Sequence, residues 1–129
     1  MDEKKMSRIL LIEDNPSSAR LATKILRRTG HTVYLAENGE DGFKMALEVV
    51  PDIILVDLGL PDVEGQTLVA LFRQQASLAK QPIVAVTAWP PDSAAQMAKA
   101  YGCDGVITKP IEISKFADQV FSFLDRETT

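Results

Sequence analysis

Short apolar runs alternate along the chain with longer segments in which apolar residues recur every three or four positions. Continuous apolar runs are typical of parallel strands buried on both faces, and the longer segments are typical of helices packed on such a sheet. The alternation therefore predicts repeated strand–helix units and an α/β fold. We predict strands at about residues 8–13, 32–36, 53–57, 82–87 and 105–108, with the mixed second run at an edge of the sheet.

The helical segments carry start and stop signals. Asn15, followed by proline, offers an N-cap, and Gly30 ends that helix; Asn38 caps a second helix that ends before Pro51, and Pro91 begins a fourth. The apolar stripes of the last four helices predict a core-facing set: Phe43, Ala46, Leu47, Val50, Leu68, Leu71, Phe72, Ala94, Met97, Ala98, Tyr101, Ile113, Phe116, Ala117, Val120 and Leu124. The predicted fold is a five-stranded parallel sheet flanked by five helices, doubly wound, in three layers.

Length and composition limit the possible classes of protein. A chain of 129 residues predicts a single domain over 1–129, with a core at about 7–125 and loose ends at 1–6 and 126–129. The net charge of −4 argues against nucleic acid as a partner, because its backbone would be repelled. No apolar stretch approaches the ~20 residues of a membrane span, and the first six residues do not resemble a signal peptide. We therefore expect no membrane partner and a cytoplasmic location.

The chain has one cysteine, which excludes an internal disulfide and suits a reducing cytoplasm. The only histidine, His31, lies far from Cys103 in the sequence. We interpret Cys103 as a buried or half-buried spacer thiol rather than a nucleophile.

Four of the apolar runs end in polar side chains of matched chemistry. The first runs into Glu13 and Asp14, the third into Asp57, the fourth into Thr87 and the fifth into Lys109. In an open parallel sheet the carboxyl ends of the strands form the ligand crevice, so these groups are expected to meet. Three carboxylates, a hydroxyl and an ammonium suit a divalent cation and a phosphoryl group.

Charge repulsion predicts a metal ion among the acids. Two unit charges ~4 Å apart repel by roughly 4 kcal/mol at an effective dielectric of ~20. A hard cation relieves this repulsion, and ligands that offer only oxygen favour Mg²⁺ over zinc. We assign the pair Glu13 and Asp14 to the metal and the lone Asp57 to nucleophilic attack on phosphorus.

The remaining groups complete the predicted phosphoryl site. Lys109 and Mg²⁺ would neutralise the charge on the phosphoryl oxygens, Thr87 would donate a hydrogen bond, and the small Ala88 would leave room. Each signal alone has a structural interpretation, because Asp is common in turns and Lys in solvated loops. Their joint occurrence at four strand ends favours a functional site.

Four ordered motifs resemble those of the response-regulator receiver domain, the chemotaxis-type phosphoacceptor module, over about residues 7–125. They are Ile12-Glu13-Asp14-Asn15, Val56-Asp57-Leu58-Gly59-Leu60-Pro61 followed by Gly65, Val86-Thr87-Ala88, and Thr108-Lys109-Pro110. The resemblance implies a flavodoxin-like fold and a cis peptide bond between Lys109 and Pro110. It also implies roles for individual residues: Mg²⁺ ligands Glu13, Asp14, Asp57 and the Gly59 carbonyl, phosphorylation of Asp57, a switch hydroxyl on Thr87 and phosphate contact by Lys109.

Two positions depart from the family pattern. The family usually has an aromatic residue three positions before the lysine, and here Val106 stands there, which predicts a weaker or differently routed switch. Trp89 lies two residues after Thr87, where a side chain flanks the phosphoryl group in this family, and Gly59 leaves the opposite flank open. Trp89 either screens the phosphoryl group from water or packs at the rim and faces a partner.

The resemblance implies a receiver that takes a phosphoryl group from a sensor histidine kinase or a histidine phosphotransfer protein. It would promote its own phosphorylation and dephosphorylation, and would not be an enzyme in the ordinary sense. Nothing after residue 125 could form an output domain, so we expect output by protein contact on the 90–125 face. The chain would then be a stand-alone regulator, a phosphorelay intermediate or a piece of a longer protein.

Two alternative functions are weaker. Mg²⁺-dependent phosphohydrolases with an aspartyl nucleophile typically carry a second Asp two residues later, where this chain has Gly59, and we find no inserted cap domain that would hold a substrate. A degenerate receiver that acts only as a binding module is disfavoured, because every residue needed for phosphorylation is present.

Overall fold

Strands and helices alternate throughout the computed structural model, which describes residues 7–125. The strands are β1 Arg8–Ile12, β2 Thr32–Ala36, β3 Ile53–Val56, β4 Ile83–Thr87 and β5 Gly105–Thr108. The helices are α1 Pro16–Arg28, α2 Gly39–Val49, α3 Gly65–Gln74, α4 Pro91–Tyr101 and α5 Phe116–Asp125. The loose ends predicted at 1–6 and 126–129 lie outside the described residues.

All five strands are parallel and lie in the order β2-β1-β3-β4-β5. The mixed run β2 is at an edge, as predicted, and the apolar runs β3 and β4 are buried at every residue. Ile12 pairs with both Ala36 and Val56, so the carboxyl ends of the three neighbouring strands are level. The predicted five-stranded, doubly wound fold is confirmed.

Helices cover both faces of the sheet, which gives the three predicted layers. One face carries α1 and α5, whose Leu26 and Phe116 pack on the odd-numbered side chains of β1 and β3. The other face carries α2 and α3, with Phe72 fully buried, and α4, which packs through Ala98. The strand ends are thereby left free to form a site.

The predicted caps are present where the sequence places them. The side-chain oxygen of Asn15 accepts from the N–H of Ser18 at 2.9 Å, and that of Asn38 accepts from the N–H of Asp41 at 2.8 Å. Helix α4 ends at Gly102, whose φ of 96° is a left-handed conformation that glycine adopts without strain. These caps fix the entry and exit of the helices next to the strand ends.

Three predicted core positions are wrong, because Leu47, Met97 and Ile113 are 41%, 38% and 66% exposed. Helix α2 faces the sheet with small residues and lies so close that a Cβ on Gly42 would meet the side chain of Ile12, which turns Leu47 outward. Helix α4 likewise packs through alanines, leaving Met97 on its flank. Ile113 precedes α5 and so is not on its apolar stripe.

None of the helices between residues 7 and 125 combines the length and the apolar character needed to cross a membrane.

Candidate functional site

The strand ends bring the predicted site residues to one edge of the sheet. Glu13 and Asp14 follow β1, Asp57 follows β3, Thr87 ends β4 and Lys109 follows β5. Backbone hydrogen bonds extend the sheet just beyond the strands: the Asp57 N–H donates to the Ile12 carbonyl at 3.0 Å, and the Lys109 N–H donates to the Thr87 carbonyl at 2.8 Å. The sheet therefore fixes the backbone that carries each functional side chain.

The ammonium group of Lys109 joins two of the three acids. Its Nζ lies 2.6 Å from Glu13 Oε1 and 3.1 Å from Asp57 Oδ2. The side chains are largely buried, with exposures of 17% for Lys109, 13% for Asp57 and 3% for Glu13. The neighbouring Asp14 is exposed, so the two adjacent acids of the motif are in different environments.

The second oxygen of each buried carboxylate is held by the loop that follows it. Glu13 Oε2 accepts from the N–H of Asn15 at 3.1 Å, and Asp57 Oδ1 accepts from the N–H of Gly59 at 2.9 Å. Both bonds span two residues, which is the local turn chemistry that acidic side chains favour. Each carboxylate is therefore oriented before any ligand arrives.

Burial and neighbouring charges shift the pKa values of this cluster in a consistent way. Burial raises the pKa of Glu13 and the Asp57 charge adds to this, against the Lys109 ammonium and the Asn15 N–H, which lower it. Burial alone would lower the pKa of Lys109, but its hydrogen bond to Glu13 and the charge of Asp57 raise it overall. Lys109 is therefore charged at neutral pH and balances the buried acids.

The acidic cluster fits a hard divalent cation. Glu13, Asp14 and Asp57 each offer a carboxylate oxygen, and these oxygens lie within 4.8 Å of one another. All these donors are oxygens, as Mg²⁺ prefers. Gly59 lies next to the cluster and has no side chain. A Cβ added at this position would contact only Asp57 Oδ1, at 3.6 Å. The backbone of Gly59 is thus accessible from the crevice.

Thr87 and Trp89 form the border of the site toward α4. The Thr87 side chain is 1% exposed, and its Oγ1 accepts from the N–H of Trp89 at 3.2 Å. Ala88 between them is exposed. The half-buried Trp89 packs against a small cluster of buried residues on the α4 side of the sheet: Leu58, Ala85 and Ala98. Val106 packs on the same cluster.

The peptide bond between Lys109 and Pro110 is cis, as the resemblance implies. It directly follows the lysine that contacts the two buried acids.

Comparison with known proteins identifies the family. The model of the response regulator receiver domain matches residues 9–121 of this chain. The chain belongs to this family. It is 28% identical over 116 residues to the polar-differentiation response regulator DivK of Brucella anthropi, covering 90% of this chain and 94% of DivK. Receiver domains generally act in signalling and not as enzymes, and in two-component systems they interact with histidine kinases and downstream targets.

Solved structures show the same architecture. A putative response regulator from Chloroflexus aurantiacus superposes with a TM-score of 0.89 at 28% identity, covering 95% of this chain and all of that one. The chemotaxis response regulator CheY4 of Vibrio cholerae superposes with a TM-score of 0.85 at 24% identity, over 92% of this chain and 99% of that one, and so shares the fold.

The structure of the receiver shows a pair of hydrogen bonds near the site that the sequence analysis did not predict. Asp62, in the loop after Asp57, accepts from the N–H groups of Gly39 and Glu40 at 2.8 and 3.0 Å. These bonds lower the pKa of Asp62, chiefly the one from Gly39, and they tie the loop to the start of α2. Only the tertiary structure reveals the contact, because the partners are far apart in the sequence.

Cys103 of the receiver is half-buried and packs on two hydrophobic clusters, in agreement with its interpretation as a spacer. Burial raises the pKa of its thiol to about 11. At pH 8 the reactive thiolate is then roughly a hundredfold scarcer than in an exposed cysteine. We expect Ellman's reagent to label the folded protein about a hundredfold more slowly than the urea-unfolded protein; equal rates would contradict this interpretation.

Proposed function

We propose that this receiver accepts a phosphoryl group on Asp57, with Mg²⁺ as cofactor, from a phosphohistidine on a sensor histidine kinase or histidine phosphotransfer protein. The observation that carries the proposal is the position of the Asp57 carboxylate, which lies 3.1 Å from the Lys109 ammonium and within the cluster that also contains Glu13 and Asp14. The chain would act as a single receiver domain in the cytoplasm.

Asp57 is oriented for attack on phosphorus. Its Oδ1 is held by the Gly59 N–H and its Oδ2 by Lys109, so both oxygens have defined positions. A new bond forms between one of these oxygens and phosphorus as the bond from phosphorus to the histidine nitrogen breaks, and the imidazole keeps the electron pair. The chain supplies positioning and charge, which are the main requirements of this reaction.

The acids that follow β1 and β3 would hold the metal ion. Glu13, Asp14, Asp57 and the Gly59 carbonyl would be its ligands from the protein. The bound ion would neutralise charge on the phosphoryl oxygens as the group is transferred.

Lys109 and Thr87 would hold the transferred group. Lys109 already lies against Asp57, and its ammonium can contact a phosphoryl oxygen attached there. Thr87 Oγ1 uses a lone pair to accept from Trp89, so its own hydrogen remains free of that bond and can be donated to a second oxygen. The small Ala88 next to it leaves space for this contact.

We assign output to the 90–125 face, which contains α4, β5 and α5. Three of the five exposed large apolar side chains of the described residues lie in this stretch: Met97, Ile113 and Phe121. Exposed apolar side chains favour protein contact over contact with nucleic acid, and this is consistent with the net charge of −4.

Phosphorylation can be tested without the cognate kinase. The protein is incubated with Mg²⁺ and acetyl phosphate, and its intact mass is compared with a sample that also contains a chelator. We expect one phosphoryl group to be added in Mg²⁺ and labelling at least tenfold slower in the chelated sample, because the metal neutralises the transferred charge. Equal labelling in both samples would rule out a role of the metal in phosphorylation. No labelling in either sample would favour a receiver that acts only by binding.

A further inference from the structure

The loop between β3 and α3 carries two of the groups assigned to the metal, the Asp57 carboxylate and the Gly59 carbonyl, and we call residues 57–64 the β3–α3 loop. Leu58 and Leu60, on either side of Gly59, are buried in different clusters, the first beside α4 and the second beneath α2 and α3. Apolar contacts are non-directional, so they hold this backbone in place without orienting its peptide planes. The direction of the carbonyl therefore depends on the hydrogen bonds of the loop.

Asp62 joins the β3–α3 loop to the first turn of α2. Its Oδ1 accepts from the N–H of Gly39 at 2.8 Å, and its Oδ2 accepts from the N–H of Glu40 at 3.0 Å. We call these two bonds the Asp62 link. The helix and the loop are also in close contact there, because a Cβ added to Gly39 would lie 2.9 Å from Cγ2 of Val63. Two bonds to one helix end fix the direction of the carboxylate as well as its position.

The start of α2 is a firm support for this contact. The first N–H groups of a helix have no partner inside the helix, and here all three of the first turn are paired with side chains. Asn38 accepts from the N–H of Asp41 at 2.8 Å, and Asp62 takes the N–H groups of Gly39 and Glu40, which the local cap leaves unpaired. Asp62 thus caps α2 from outside, so any effect on the metal has to be separated from an effect on this helix.

We propose that Asp62 is a positioning residue for the metal ion: by joining the β3–α3 loop to the start of α2, it holds the Gly59 carbonyl in the orientation that a cation needs. This inference rests on the proposed function, since it deepens the metal site described there. The coupling is reciprocal. If the Asp62 link tightens metal binding by some factor, the bound metal stabilises the link by the same factor.

Metal binding is measured with Mn²⁺, which takes the same oxygen ligands as Mg²⁺ and whose free ion is counted directly by electron paramagnetic resonance. We expect Asp62→Ala to weaken binding about tenfold, at the low end for groups that orient metal ligands, because Asp62 acts through the loop backbone and not by a direct bond to a ligand. Asp62→Asn keeps one acceptor oxygen and should lie between Asp62→Ala and the wild type. Equal dissociation constants for Asp62→Ala and the wild type would overturn the proposal.

Two control variants separate the link from charge and from helix capping. Glu64→Ala removes the same charge from the same loop, and the Glu64 side chain makes no capping hydrogen bond. Asn38→Ala removes the local cap of α2 and leaves Asp62 in place. Both should bind Mn²⁺ within about twofold of the wild type. A tenfold loss in Glu64→Ala would reduce the effect to charge, and a tenfold loss in Asn38→Ala would reduce it to the stability of α2; either result would overturn the proposal.

Amide hydrogen exchange at Gly39 and Glu40, followed by NMR, tests the reciprocal effect. Saturating Mg²⁺ should slow exchange of both amides in the wild type about tenfold, the same factor as the loss of affinity in Asp62→Ala. Exchange that saturating metal leaves unchanged would overturn the coupling. A wild type that binds no Mn²⁺ would instead reject the metal in the proposed function, whereas a wild type that binds Mn²⁺ no more tightly than Asp62→Ala would reject this inference alone.

Discussion

Asp57→Asn is expected to abolish phosphoryl acceptance from acetyl phosphate. The asparagine amide has nearly the same shape but is neither charged nor nucleophilic toward phosphorus, and one anionic ligand of the metal cluster is lost as well. Intact-mass measurements over several hours should show one phosphoryl group on the wild type and none on the variant. The loss should be complete, because Glu13 is held by Lys109 and the Asn15 N–H and does not take the position of Asp57.

The control for this experiment is Asp118→Asn, which makes the same chemical change at an exposed acid on α5. It should be labelled like the wild type. If Asp57→Asn were labelled at the wild-type rate, another residue would be the acceptor. The exposed neighbour Asp14 would then be examined first by peptide mapping. Far-UV circular dichroism should show equal helix content in all three proteins, so that any loss reflects chemistry.

The sequence predicted the fold well where burial leaves few alternatives. β3 and β4 are buried at every residue, and continuous runs rich in Val, Ile and Leu are typical of such central parallel strands. The site followed from the same feature, because parallel strands place their carboxyl ends at one edge. Positions on the flanks of helices were harder to predict. Leu47 and Met97 match the helical spacing of apolar residues, but α2 and α4 pack on the sheet through glycine and alanine, and these two side chains are exposed.

The sequence could not predict how the acids share their partners. Glu13 and Asp14 are adjacent in the chain, and we assigned them together to the metal. The structure shows that one is buried on Lys109 and the other exposed, a difference that depends on a contact between opposite ends of the chain. Asp62 is similar, because its role at the start of α2 depends on how two loops meet. Long-range pairing of charges is decided by the fold and carries no local pattern.

Lys109→Met is expected to lower the free energy of unfolding by roughly 3 kcal/mol at pH 7 without Mg²⁺. Methionine keeps the length of the side chain, but it leaves the buried Glu13 carboxylate beside Asp57 without the cation that contacts both. Removing one partner of a buried ion pair costs about 3–5 kcal/mol, and the solvent-accessible side of this site favours the lower end. Urea denaturation followed by circular dichroism measures the change. The rate of labelling by acetyl phosphate should also fall, by roughly 10²-fold, with one phosphoryl-binding charge lost.

The penalty should depend on pH and metal in a way that a simple packing defect does not. The pKa of Glu13 is already raised above its ordinary 4.5, and loss of the lysine raises it further. A raised carboxyl pKa means that the folded state binds the proton more tightly, so the penalty should shrink as the pH falls through that pKa. Saturating Mg²⁺ should also reduce it, because a cation that binds only the folded state stabilises that state. Lys115→Met, at an exposed ion pair with Glu112, should show neither dependence. A penalty in Lys109→Met that is the same at pH 7 and at a pH below the pKa of Glu13, and the same with or without Mg²⁺, would mean that Lys109 serves packing and not the charge balance of the acids.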